Sequence, residues 1–203
     1  MWALIEDGSI TKLINKPRGM VIDNIQYSRN IFSFRWSNAE REAIGIYEVV
    51  FNNTKKKDEE YYINTNQSFA FADGTATATY GDATARAHAD TLFTAHDESD
   101  GKGTEGEVKV EGLKTKKIRT IKKQAAGELA RTDWYIVRKA DANTAIPSTI
   151  TNHRAAVRTK CAEMETAITN ASNTAAIETL YTYTEQEDGS VTRPLGNLPT
   201  LEV

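Results

Sequence analysis

The alternation of apolar and polar positions predicts β-hairpins in the N-terminal part of the chain. Residues 2–5 and 10–14 are strand-like runs on either side of Asp7-Gly8, whose glycine accepts the positive φ of a tight turn. A second Asp-Gly pair, at residues 73–74, again separates two alternating runs. The pattern therefore indicates a small, mostly antiparallel β module.

A strand and a short helix are expected between these hairpins. Residues 31–36 have a strand-like pattern and lead into Ser37, which stands three positions before Glu40 as in a capping box. In that motif each side chain accepts a hydrogen bond from the other residue's backbone N–H, so a short helix should follow and stop near Gly45. Residues 46–51 then alternate as a further strand.

The middle of the chain has the composition of a connector. Residues 83–95 are rich in alanine and threonine and predict a helix, whereas residues 97–107 are rich in glycine, aspartate, glutamate and serine. A segment of the second kind has too few apolar side chains to form a core. We therefore expect a flexible, solvated connector over residues 83–111.

Apolar positions with helical spacing predict a C-terminal module of amphipathic helices. From residue 113 onward an apolar stripe lies opposite a basic face, and a second helix starts near Ser148. The apolar faces consist of Ile118, Ile121, Ala125 and Leu129 in the first helix and Ile150, Val157, Cys161, Met164 and Ile168 in the second. A shorter helix is predicted over residues 173–183.

An aromatic-aliphatic run lies between the two long helices. Residues 134–137, with the sequence Trp-Tyr-Ile-Val, are expected to form one short strand that pins the basic helix against the following helix. Proline and glycine beyond the helices predict an extended tail. The fold class is therefore α+β, with a β-rich module over 1–82, the connector over 83–111, the helical module over 112–184 and the tail over 185–203.

Composition and charge narrow the classes of function. The net charge of −3 gives no overall field that would attract polyanions. Cys161 is the only cysteine, so no intramolecular disulfide can form. The N-terminus lacks the basic head and apolar stretch of a signal peptide, and no run approaches the roughly 18 apolar residues that cross a membrane. We expect synthesis in the cytoplasm and no membrane association.

No arrangement of side chains in the sequence defines a catalytic, cofactor or metal site. His88, His96 and His153 lack the spacing that puts two imidazoles on one helix face. The acidic loop around Gly101 has a histidine where the first calcium ligand should be. Burial should protect the thiol of Cys161 from reaction. We therefore expect no cofactor, no metal and no enzymatic activity.

A cluster of cations on the first long helix leaves nucleic-acid binding as an alternative. Lys116, Arg119 and Lys123 belong to the basic run 114–123 and could neutralise phosphates. The same charges fit the solvated face of an amphipathic helix, and no aromatic side chain in this run could stack on bases. Nucleic acid is therefore ranked below protein as a partner.

Several motifs occur together in residues 112–168, beginning with a basic amphipathic helix. The motifs that follow it are Thr132-Asp133-Trp134, Ile146-Pro147, and a helix that carries Arg154 and Arg158. With these features the segment resembles the C-terminal module of tail-fibre-assembly and tail-assembly-chaperone-like proteins of tailed bacteriophages. The runs MWALIEDGSI and AIGIYEVV are likewise similar to a small β module at the start of related tail proteins.

The resemblance implies a non-enzymatic protein that acts through protein–protein contacts. Trp134 and Tyr135 are candidate partner-binding residues, although burial of Trp134 in the module's own core is favoured over a place at an interface. Arg154 and Arg158, one helical turn apart, would either form bidentate contacts with partner carboxylates or make up a solvated helix rim. The candidate set is completed by Lys116, Arg119 and Lys123.

The expected function is that of a tail-associated structural protein in the virion, near the tail, baseplate or fibre attachment. Its partners would be other tail, baseplate or fibre proteins, and self-association into a homo-oligomer is left open. One alternative is a transient tail-fibre assembly chaperone that is absent from the mature virion. A second alternative is nucleic-acid binding through the basic run 114–123.

Overall fold

Strands fill the N-terminal part of the chain and helices fill most of the C-terminal part, so the predicted α+β class is confirmed. The arrangement is that of a computed structural model, which describes residues 1–201. The chain divides between Thr84 and Ala85 into two units that are each compact.

The N-terminal unit consists of short strands with two short helices between them. Its elements are β1 (Trp2–Glu6), β2 (Ser9–Ile14), β3 (Met20–Ile22), β4 (Ile25–Tyr27), a 3-10 helix (Arg29–Phe32), α1 (Asn38–Glu42), β5 (Ile46–Asn52), β6 (Tyr62–Ile63), β7 (Ser68–Ala72) and β8 (Thr75–Thr79). A five-stranded sheet has the order β2-β1-β5-β8-β7. Its neighbouring strands are antiparallel except for β5 and β8, which are parallel.

Both predicted hairpins are present and turn at their Asp-Gly pairs. Asp7 and Gly8 have φ values of 49° and 70° and join β1 to β2. Asp73 and Gly74 have φ values of 49° and 72° and join β7 to β8. Aspartate and glycine tolerate this left-handed conformation better than most residues, which is why the sequence indicates the turns.

The sheet buries apolar side chains on both of its faces. One cluster consists of Leu4, Ile14, Met20, Ile22, Ile31 and Ile46. The other consists of Ala3, Val49, Ala76 and Ala78, with Phe69 and Phe71 packed beside them. In the register of β7 and β8, Phe69 stands opposite Ala78 and Phe71 opposite Ala76. Each large ring therefore faces a small side chain on the neighbouring strand.

The strand expected over residues 31–36 is wrong, because this stretch starts in the 3-10 helix and continues in turns. Arg41 accounts for the difference. Its Nη1 donates to the carbonyl oxygen of Ile31 at 3.3 Å and to that of Trp36 at 2.7 Å. These carbonyls are thus satisfied by a side chain instead of a neighbouring strand.

The capping box and the glycine that follows α1 are confirmed. Ser37 N donates to Glu40 Oε2 at 2.8 Å, and Glu40 N donates to Ser37 Oγ at 3.2 Å. Gly45 has a φ of 78°, and a Cβ at this position would lie 2.7 Å from the carbonyl oxygen of Ile5. Glycine is required here because both the conformation and the close approach to β1 exclude a side chain.

The C-terminal unit is dominated by two long helices. β9 (Thr84–Ala85) lies at the division between the units, and the remaining elements are β10 (Thr91–Leu92), α2 (Ala95–Ser99), β11 (Val108–Val110), α3 (Leu113–Ala130), α4 (Asp133–Ala142), α5 (Ser148–Asn170), α6 (Thr174–Tyr181), β12 (Thr184–Glu185) and β13 (Val191–Thr192). β10 pairs with β11 and β12 pairs with β13, each antiparallel.

The long helices α3 and α5 form the core that the apolar spacing predicts. The buried cluster consists of Ile121, Ala125, Val157, Cys161, Met164, Ile168 and Leu195, with Ile118 and Leu129 partly buried beside it. The shorter predicted helix is present as α6, which starts after Asn173. The Oδ1 of Asn173 accepts a hydrogen bond from Ala176 N at 2.9 Å. The helical predictions for these three segments are confirmed.

The helix expected over residues 83–95 is wrong, because this stretch is largely extended and caps the start of α3. Leu113 N donates to the carbonyl oxygen of Ala87 at 3.0 Å, and Gly112 N donates to Asp90 Oδ1 at 2.7 Å. The first N–H groups of a helix have no partner within it, and α3 has no side-chain cap at its own N-cap residue. Tertiary contact therefore overrides the helix preference of alanine.

The flexible, solvated connector expected over residues 83–111 instead contains α2 and the antiparallel pair β10–β11. Thr94 and Asp97 form a capping box, in which Thr94 N donates to Asp97 Oδ2 at 3.1 Å and Asp97 N donates to Thr94 Oγ1 at 3.2 Å. Lys109 Nζ lies 2.6 Å from Asp97 Oδ1. The bond from Lys109, followed by those from Thr94, lowers the pKa of Asp97 to about 2. Local polar contacts thus order this segment.

The C-terminal stretch expected to be an extended tail packs on the helices. Leu195 is buried in the helical core, and its N donates to the carbonyl oxygen of Leu180 at 3.0 Å. Two cations contact the ring of Tyr181: Lys117 Nζ lies 4.0 Å and Arg193 Cζ 5.3 Å from its centroid. These contacts join residues that are far apart in sequence, so no local pattern indicates them.

Candidate protein-binding surface

Residues 134–137, the run expected to form a short strand, lie within helix α4. α4 begins after Thr132 and ends before Asn143, which has the left-handed conformation with a φ of 52°. The strand prediction is wrong because four consecutive apolar residues fit a helix as well as a strand. The aromatic run is therefore presented on a helix surface.

α4 leaves its large apolar side chains exposed. Trp134 is 52% exposed, Ile136 41% and Val137 66%, and no residue of α4 is buried against the described part of the chain. The favoured burial of Trp134 in the core of the module is therefore wrong. Single exposed apolar side chains are ordinary, whereas Trp134 and Val137, three positions apart and so on one face of the helix, mark a candidate binding surface.

Three side chains of α4 stack on one another. The ring centroids of Trp134 and Tyr135 lie 4.0 Å apart with an interplanar angle of 36°. Arg138 Cζ lies 4.5 Å from the centroid of Trp134 and 5.4 Å from that of Tyr135. Such a cation–π contact at an exposed site is worth roughly 0.5–1 kcal/mol. We call Trp134, Tyr135, Val137 and Arg138 together the α4 platform; Ile136, two positions from Trp134, lies on the other side of the helix.

Arg154 lies at the base of α4 and binds groups of its own chain. Its Nη1 lies 2.7 Å from the carbonyl oxygen of Leu129, 2.7 Å from Thr132 Oγ1 and 2.8 Å from Asp133 Oδ1. Thr132 is 1% exposed and Arg154 is 8% exposed. We call this set of contacts the Arg154 node; it joins α5 to the end of α3 and the start of α4. Arg154 is therefore a buried structural residue whose Nη1 is bonded within its own chain.

The remaining cations proposed from the sequence lie on α3 and α5. Arg158 is exposed on α5, and Lys116 and Lys123 are exposed on α3. Arg119 is also exposed but forms an ion pair with Glu111, with Nη1 2.9 Å from Oε1. The structure thus brings Trp134 and Tyr135 together on α4 and leaves these four cations on other helices.

The candidate surface also includes Val137 and Arg138, which the sequence interpretation did not name. Two signals indicate a helix here. Trp134 and Arg138 have the i,i+4 spacing of neighbours on a helix surface. Asp133 supplies the negative charge that is favourable at a helix N-terminus. A helical interpretation of the aromatic run would have grouped Trp134, Val137 and Arg138 on one surface.

The single thiol of the chain is part of the core. Cys161 is buried between α3 and α5, and its Sγ lies 3.4 Å from Glu165 Oε1. Burial, together with the hydrogen bond to Glu165, raises the pKa of Cys161. A raised pKa disfavours the thiolate, which is the nucleophilic form. Cys161 is thus a packing residue.

Comparisons with protein-family models, curated proteins and solved structures found no match to this chain. Within residues 1–201, no group of three or more His, Cys, Asp or Glu side chains could hold a metal ion. No helix in that part of the chain is both long and apolar enough to cross a membrane. The candidate functional site is therefore the α4 platform.

Proposed function

We propose that this protein acts by binding other proteins through the α4 platform and catalyses no reaction. The observation that carries the proposal is a ten-residue helix that exposes Trp134 and Val137 on one face. Removing such apolar surface from water is favourable by about 25 cal/mol per Å². Trp, Tyr and Arg are also the residue types that most often dominate the binding energy of protein interfaces.

The platform is held in shape before any partner binds. Arg138 stacks on Trp134 and Tyr135, which restricts all three side chains. The Arg154 node fixes the first turn of α4 on α3 and α5. Side chains that are already ordered lose less conformational entropy on association, so a preformed surface binds more tightly than a mobile one of equal area.

The identity of the partners is proposed from the resemblance of residues 112–168 to phage tail-assembly modules. On this basis the protein belongs to the virion of a tailed bacteriophage, near the tail, baseplate or fibre attachment, and binds other tail proteins. A transient fibre-assembly chaperone would use the same surface but would leave before the particle is complete. The composition of the finished virion separates the two roles.

The basic run 114–123 supports nucleic-acid binding less well than α4 supports protein binding. Lys117 is buried, with its Nζ 4.0 Å from the ring centroid of Tyr181. Lys122 Nζ lies 3.0 Å from Glu165 Oε2. Binding to a polyanion is driven by cations that are free to neutralise phosphates. Cations that already contact other side chains of the chain contribute less to it.

Purified particles and infected-cell lysates test the proposal. Mass spectrometry should recover the protein from purified virions in a fixed ratio to other tail proteins. A photo-crosslinking phenylalanine analogue in place of Val137 should link to a second phage protein, whereas the same analogue in place of the exposed Thr159 on α5 should not. Recovery only from lysate supports the chaperone role. Absence of any phage-protein crosslink from position 137 contradicts the proposal.

A further inference from the structure

We propose that Arg138 binds a carboxylate in an acidic segment of the partner protein. The inference rests on the protein-binding role proposed above and adds the chemistry of the partner. The guanidinium of Arg138 is stacked on two aromatic rings of the α4 platform.

Within residues 1–201 the guanidinium of Arg138 has no acceptor. Its Nε atom is buried and has no hydrogen-bond partner among residues 1–201. Across the same residues, neither a hydrogen bond nor an ion pair joins this guanidinium to a protein acceptor. A carboxylate of another chain would give this cation the charged partner that the described residues do not supply.

Arg154 shows how a guanidinium finds acceptors in this unit through its Nη1, although its Nε is buried without a partner, as is that of Arg138. Arg154 contacts the carboxylate of Asp133 and two further oxygens. Arg138 is different, although Asp141 stands only three positions further along the same helix. Within the described residues no ion pair between Arg138 and Asp141 is found. The positive charge of Arg138 is therefore available to pair with a negatively charged group of another molecule.

The stacked position favours a carboxylate as that group. A guanidinium is a planar fork of N–H donors that matches the two oxygens of a carboxylate, and charge-assisted bonds of this kind are the stronger ones. Stacking on Trp134 and Tyr135 leaves the charge in place while it restricts the plane of the fork. The exposed Val137 beside it offers apolar contact. The expected partner segment carries an Asp or Glu next to apolar or aromatic side chains.

The charge pattern of α4 favours a different chain over a second copy of this one. Arg138 and Lys139 lie near the middle of Asp133–Ala142, so two copies of α4 related by a two-fold axis would bring like charges together. Like charges at an interface oppose association. An acidic segment of another protein would meet Arg138 with opposite charge.

The first experiment identifies the segment that faces the platform. The full chain carries the photo-crosslinking analogue in place of Val137 during infection, and mass spectrometry gives the sequence of the linked peptide. We expect a peptide of another phage protein that contains Asp or Glu at or beside the linked position. A linked segment without an acidic residue, or a crosslink to a second copy of this chain, overturns the inference and leaves the protein-binding role intact. With no crosslink to any phage protein, the proposed function itself fails.

The second experiment tests the carboxylate with matched variants and the partner that the crosslink identifies. Arg138→Gln should weaken binding at least about tenfold, as expected for loss of a charge-assisted bidentate contact. Lys139→Gln removes the same charge from the same helix and should change the dissociation constant less than about twofold. Circular dichroism should show equal helix content in both variants.

A charge exchange completes the test. Arg138→Glu combined with a lysine in place of the partner's acidic residue should restore binding that either change alone removes. Equal effects of Arg138→Gln and Lys139→Gln, or failure of the exchanged pair to recover any binding, overturn the carboxylate contact.

Discussion

The helices α5 and α4 are attached to the same unit in opposite ways. α5 buries a continuous apolar face, which includes Ile150, Val157, Cys161, Met164 and Ile168, whereas α4 buries none of its residues. α4 is attached at its first turn by the polar contacts of the Arg154 node. A helix held by polar contacts at one end can thus leave its apolar side chains exposed.

The two modes of attachment imply different local stabilities. Apolar burial stabilises α5 along most of its length, because each buried side chain adds its own contribution. The Arg154 node acts at one end of α4 only. Segments with few buried apolar contacts open at a lower free energy than the whole fold. Substitutions on α5 should therefore affect global unfolding, and those on α4 should affect local order and binding.

The largest effect is expected for Ile168→Ala on α5. Ile168 is fully buried in the core between α3 and α5, so truncation leaves a cavity and should lower the free energy of unfolding by about 2–5 kcal/mol. Val137→Ala on α4, the matched control, should change it by less than about 0.5 kcal/mol. Denaturant unfolding of both variants measures the contrast. Comparable losses from the two variants would contradict the difference between the helices.

An intermediate effect is expected when the Arg154 node is removed. Arg154→Met keeps the length of the side chain but removes the contacts with Leu129, Thr132 and Asp133, which should cost about 1–3 kcal/mol. Hydrogen exchange should speed up most in α4 and less in α5. Arg158→Met, an exposed arginine on the same helix, serves as the control. Uniform acceleration across α3, α4 and α5 would show that the node does not hold α4 in particular.

A more local effect is expected at α2, which is also attached by a charged pair. The pKa of Asp97 lies at about 2 in the folded chain, below its ordinary value of 3.8, chiefly because of Lys109. Since the folded state favours the carboxylate, its stabilisation is complete above about pH 4 and is lost as the pH falls through 2. Amide exchange within α2 should accelerate over this range. In Asp97→Asn the amide exchange of α2 should no longer depend on pH over this range. If the pH dependence remains in that variant, a group other than Asp97 causes it.

The sequence allowed α3 and α5 to be predicted but not α4. The apolar faces of α3 and α5 repeat over several turns, and this repetition has no equivalent in a strand. The run at residues 134–137 is too short to show a period, so its Trp-Tyr-Ile-Val composition favoured a strand. The candidate surface was consequently found only in part: Trp134 and Tyr135 were named, whereas Arg138 was not.

Other differences have their cause in contacts between distant residues. The Ala-rich stretch 83–95 is extended because Ala87 and Asp90 satisfy N–H groups at the start of α3, which outweighs a local preference for helix. Leu195 enters the core between helices that end many residues earlier. Neither contact leaves a periodic pattern in the sequence. The hairpin turns at the Asp-Gly pairs were predicted because their backbone requirement is local.

The smallest effect on stability, and a large one on binding, is expected for Trp134→Ala. The ring is half exposed and contacts Tyr135 and Arg138 within α4, so its loss should lower the free energy of unfolding by no more than about 1 kcal/mol. The same change removes the largest apolar side chain of the α4 platform and should abolish crosslinking to the partner from position 137. Thermal unfolding and crosslink yield, measured together, decide the outcome. A destabilisation of about 3–5 kcal/mol would be typical of a buried aromatic ring and would show that Trp134 belongs to the core.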